Sequence, residues 1–148
     1  MRSETIVVGL LMACIAAPSP ASAAHILITQ DEAKLPPAKG AFAVDRRGVT
    51  RSPKVILVSG SEPVHSPMHF QLKFESFGGA RVDPDSVKVT YLKNPNVDLT
   101  PRTKPFAQAT GIDMPDAELP VGGHMLRVDV KDSDGRPGSV SFVLNVTP

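Results

Sequence analysis

Residues 120–146 read PVGGHMLRVDVKDSDGRPGSVSFVLNV, and this stretch decides the fold class. From 124 to 131, Leu126, Val128 and Val130 fall on one side of an alternating run, and Arg127 and Asp129 on the other. Alternation of period two is the pattern of a strand with one face on a core and one in water. Asp132-Ser133-Asp134-Gly135 then supplies turn residues, with a glycine able to take the positive φ that a hairpin turn needs. Residues 139–146 alternate again, placing Val140, Phe142, Leu144 and Val146 in register. Two alternating runs joined by a tight turn are a β-hairpin.

The same signals recur upstream. Residues 54–59 form a short apolar run, closed by Gly60-Ser61-Glu62-Pro63. Residues 68–76 alternate Phe70, Leu72 and Phe74 against His69, Gln71, Lys73 and Glu75, until Gly78-Gly79 breaks the run. Asp83-Pro84-Asp85 makes the next turn, after which Val87, Val89 and Tyr91 alternate with Lys88, Thr90 and Leu92. Between 94 and 120 the pattern is weaker, with short candidates at 97–99, 111–114 and 117–119. About seven short strands separated by turn residues predict an all-β, two-sheet antiparallel sandwich over residues 53–148.

Residues 25–52 are irregular and read as an extended amino-terminal arm, partly ordered against the domain. Residues 31–35 suit one helical turn before Pro36-Pro37 ends it, and residues 41–44 suit a short strand. The arm is expected either to add an edge strand to its own sheet or to meet a partner through Arg46, Arg47, Arg51 and Lys54.

Residues 1–24 read as a secretion signal. Arg2 precedes an apolar run from 6 to 17, then Pro18 and Pro20, then the small residues Ala21, Ser22, Ala23 and Ala24. The apolar run is shorter than the roughly 20 residues that span a bilayer, so no transmembrane segment is expected. Cleavage after Ala23 or Ala24 would release the chain to the periplasm or the exterior. The alternative is a lipid anchor on Cys14, because Leu11-Met12-Ala13-Cys14 resembles the lipobox of bacterial lipoproteins. Cys14 is the single cysteine of 148 residues, so the exported domain is expected to lack disulfides and thiolate metal ligands. The net charge of +1 creates no strong field toward nucleic acid.

Residues 87–92, the run from Leu119-Pro120 through Gly122-Gly123 to Val128, and Asp132 to Arg136 together resemble bacterial immunoglobulin-like domains. In those domains a Leu-Pro-x-Gly turn precedes a strand that opens on an aromatic residue. His124 stands where they usually place a tyrosine, whose hydroxyl ties the corner to nearby backbone. The resemblance implies an immunoglobulin-like fold and is silent on ligand.

No catalytic constellation emerges. Ser59-Gly60-Ser61 is not a nucleophile elbow, and Gly78-Gly79 and Gly122-Gly123 read as turns rather than phosphate loops. The carboxylate pairs Asp83/Asp85 and Asp132/Asp134 sit among turn residues. The chain is therefore expected to be no enzyme and to carry no cofactor. His65 and His69 would lie about 13 Å apart on a strand, too far to share an ion. Asp132-Ser133-Asp134-Gly135 begins like a calcium loop but has Val143 where the twelfth-position acid belongs. The remaining metal candidate is His25. Cut after Ala24, the chain would present an amine and an imidazole together, as in the copper carriers of the CopC-like family. There the first strand follows at once, whereas here the arm is read as intervening. With almost no Trp or Tyr to stack on sugars, the leading expectation is an exported, non-catalytic module that binds an unidentified periplasmic or cell-surface protein. A copper carrier using His25 is the alternative.

Overall fold

The computed structural model describes residues 23–40, 51–59 and 62–148. Residues 1–22 of the expected secretion signal, Cys14 among them, the strand expected at 41–44, Arg46, Arg47 and the Gly60-Ser61 part of one turn lie outside the described residues.

Among the described residues, ten strands form two five-stranded sheets. The first sheet contains β1 (His25–Ile26), β2 (Lys54–Leu57), β4 (Met68–Glu75), β7 (Ala107–Gln108) and β8 (Gly111–Glu118), in the order β1-β8-β4-β2 with β7 also on β8. The second contains β3 (Val64–His65), β5 (Lys88–Tyr91), β6 (Val97–Asp98), β9 (Gly122–Lys131) and β10 (Pro137–Thr147), in the order β3-β10-β9-β5-β6. This is the A-B-E-D and G-F-C-C′ order of an immunoglobulin sandwich, with β1 and β7 at the D edge.

The sheets are mixed rather than purely antiparallel, because β1 runs parallel to β8 and β3 parallel to β10. Both exceptions involve two-residue edge strands, too short to show a period in the sequence. The two candidates at 111–114 and 117–119 are one strand. It passes through Pro115 and Asp116, whose φ of 53° bends it opposite a register shift in β4 between Met68 and Phe70.

The alternating residues meet between the sheets. Phe70, Leu72 and Phe74 face Val89, Tyr91, Leu126, Val128 and Leu144, all buried. Gly138 lets β10 lie against the start of β2, since a Cβ there would fall 2.1 Å from the Pro53 carbonyl oxygen. The Asp132 turn closes on itself. Its side chain has no exposed surface and accepts from the Asp134 and Arg136 amides at 3.0 and 2.9 Å and from Arg136 Nε at 2.9 Å.

The first part of the arm is built into the sandwich. Leu27 and Ile28 are core residues at 0% and 2% exposure. The predicted helical turn is α1 (Gln30–Ala33), capped reciprocally by Thr29 and Glu32. Glu32 then grips Arg102 of α2 (Thr100–Thr103) through two bonds of 2.8 and 2.7 Å, and Arg102 also donates to the Leu27 carbonyl at 2.9 Å. Farther on, Asn94 N donates to the Pro36 carbonyl at 2.8 Å. A strand therefore begins at His25 itself, and no arm separates that residue from the sandwich.

Candidate interaction face

β9, β5 and β6 lie side by side, and their outward residues fall into rows set by the register. Asp98, Thr90, Arg127 and Ser141 form one row across β6, β5, β9 and β10. Lys88, Asp129 and Ser139 form the next. On the other side, Leu92 donates its amide to Met125, which pairs with Val143, giving an apolar row. Twist hollows this face into a shallow concavity of about 410 Å³ between Lys88, Thr90, Leu92, Asn96, Asp98 and Arg127. A second hollow of about 330 Å³ shares Asn96 and adds Lys39, Lys93 and Asn94.

Around the larger hollow stand two charged groups of each sign, Lys88 and Arg127 with Asp98 and Asp129. Arg127 Nε donates to both oxygens of Asp129 at 3.1 and 3.2 Å. Hydrogen bonds from Thr100 and, more weakly, the Lys88 charge hold the Asp98 carboxyl below its ordinary value.

The histidines are dispersed. His25 opens β1, exposed, with its ring edge-on to Phe106 at 4.8 Å between centroids. His65 Nδ1 lies 3.4 Å from the Thr147 hydroxyl on the parallel β3–β10 pair. His69 hydrogen-bonds Asp113 on the outer face of the other sheet. His124 is 2% exposed; its Nε2 lies 2.7 Å from the Pro120 carbonyl and its Nδ1 2.9 Å from the Tyr91 hydroxyl. Among the described residues, no three His, Cys, Asp or Glu side chains gather as a metal site.

The turn residues serve turns. Ser59 Oγ accepts from the Gln71 amide at 2.7 Å, Asp83 accepts from the Asp85 amide at 2.9 Å, and the Asp132 oxygens are engaged as above. Of the basic arm residues that are described, Arg51 is exposed and the Lys54 ammonium sits 5.3 Å from the Phe77 ring centroid. Sequence reasoning found the outward side of β5 (Lys88, Thr90, Leu92) but not the face. Only the strand order places Arg127 and Asp98 on either side of Thr90. Comparison with known protein families, with characterised proteins and with solved structures finds no match.

Proposed function

We propose that this chain is an exported, non-catalytic interaction module, kin to bacterial immunoglobulin-like domains, that binds a protein partner through the outer face of β9, β5 and β6. The observation that carries the reading is the ordered row Asp98–Thr90–Arg127–Ser141 around a concavity of about 410 Å³. A shallow hollow ringed by charges of both signs suits contact with another polypeptide better than enclosure of a small substrate. Export is supported by the basic start, short apolar run and small-residue exit of residues 1–24. A photo-crosslinking amino acid at position 90 of the exported full chain should give a discrete protein adduct in the cell. The same probe at Gln71, on the outer face of the opposite sheet, should give none. No adduct from position 90, or the same smear from both positions, would remove the reading.

A second reading, a copper carrier, is favoured by one feature: His25 is the first residue of β1. Cut after Ala24, the chain would hold its amine and imidazole directly at the sheet edge. Stoichiometric Cu(II) binding, seen by electron paramagnetic resonance, should then vanish when one alanine is added before His25. Binding that survives the added alanine excludes the amino-terminal chelate.

A further inference from the structure

The bonds already made on the outer face determine which donors are left for a ligand. Arg127 uses its Nε on Asp129, and among the described residues neither of its Nη groups has a hydrogen-bond partner. A guanidinium fixed along one edge presents its remaining N–H groups as a fork that fits a carboxylate in two parallel bonds. The Lys88 ammonium has no hydrogen bond or ion pair among the described residues, and neither has the Thr90 hydroxyl beside it. These donors surround open solvent rather than each other.

Charge narrows the class of ligand. Around the larger hollow Lys88 and Arg127 are balanced by Asp98 and Asp129, so that hollow does not attract a multiply charged anion. A phosphate dianion in the Arg127 fork would lie beside the Asp129 carboxylate and within reach of the Asp98 field. Asp98 and Arg127 flank Thr90 in one row, two strand spacings or about 10 Å apart. The anion bonded to Arg127 (Asp129) and the cation acting on Asp98 (Lys88) both lie in the adjoining row, so this row itself carries one charge of each sign. The adjoining row of Leu92, Met125 and Val143 is apolar, with Val143 42% exposed.

We propose that the face binds an extended segment of a partner protein carrying a carboxylate for Arg127 and, two to four residues away, a lysine or arginine for Asp98. An aliphatic side chain of the segment rests on the Leu92–Met125–Val143 row. This inference depends on the interaction-module reading and deepens it by stating the partner's chemistry.

The test uses the exported full chain labelled with ¹⁵N and two blocked synthetic peptides. One alternates valine with glutamate and lysine in turn; the other carries glutamate at every charged position. The mixed peptide should give saturable shifts at Thr90, Arg127 and Ser141 and none at Gln71 or Lys73. R127K keeps the charge but loses the fork, and should weaken the mixed peptide about tenfold or more. D98N should weaken the mixed peptide while the all-glutamate peptide, relieved of a like charge, binds no more weakly than before. Both positions point outward, so folding is checked simply by the spectrum of each variant.

The proposal is overturned if R127K binds like the parent, if the all-glutamate peptide binds as tightly as the mixed one, or if no shift saturates. It is also overturned if saturable binding appears only after residues 41–50 are replaced by a glycine–serine linker. That result would assign the face to the chain's own Asp45-Arg46-Arg47 stretch. A cross-link from position 90 without peptide binding leaves the interaction module standing and removes only the charge pairing.

Discussion

His124 is held by both ring nitrogens. A carbonyl oxygen only accepts, so Nε2 carries the proton given to Pro120, and Nδ1 accepts from the Tyr91 hydroxyl. The imidazole thereby does the work of a tyrosine corner and secures the start of β9 to the turn before it. Replacing it by phenylalanine strands the Tyr91 hydroxyl and should cost about 1–3 kcal/mol in urea unfolding. The H124F/Y91F pair should recover part of that loss, because both buried polar groups then leave together. Burial, slightly opposed by the Pro120 bond, lowers the His124 pKa from its ordinary 6.5. The unfolded chain therefore binds this proton more readily than the native one. The stabilising contribution is complete above 6.5 and declines as pH falls below it, by at most about 1.4 kcal/mol per pH unit. H124F should flatten that part of the stability–pH curve; an unchanged slope would assign it to other groups. The position of His124 could be read from the Leu-Pro-x-Gly turn that precedes it. Its partner could not, since Tyr91 is 33 residues earlier in the chain and alternation within a strand says nothing about which strand lies beside it.

At the scale of elements, β4, β5, β9 and β10 were legible because each is long enough to repeat its period, and their buried positions follow the alternation residue for residue. β1, β3, β6 and β7 have two residues each and no period to read. They exist because a longer neighbour offers them an edge. β1 needs more than its edge, and the Glu32–Arg102 clamp supplies it. The bonds from Arg102 bring the Glu32 carboxyl down to about 2 from 4.5. R102Q should remove about 1–3 kcal/mol, and amide exchange should show the loss first at Leu27, whose N–H is bonded to the Glu118 carbonyl. Uniform acceleration across β9 and β10 would mean that the clamp holds the whole sandwich rather than its edge. A carboxyl lowered in the fold stabilises fully above its unfolded value. The clamp should therefore weaken as pH falls from about 4.5 toward 2.

For the whole molecule, the division of the sequence at residue 53 meets a core that reaches back to Leu27. A chain beginning at Pro53 would keep the β9–β10 hairpin yet leave the Leu27 and Ile28 sites empty, with an expected loss of about 3–6 kcal/mol. Equal melting temperatures for this chain and for one beginning at His25 would contradict that expectation. The sandwich was readable from turns and alternation, whereas the candidate face was not. A row such as Asp98–Thr90–Arg127–Ser141 gathers residues from four strands, and their adjacency arises only when the sheet assembles.

The two parallel pairings also set a timetable. His25 is made early but its register partner is Ala117, and Val64 waits for Val146. Contacts so distant along the chain delay folding, because long loops must close before any pairing rewards them. A nascent chain cannot complete the first sheet before β8 is made, nor the second before β10.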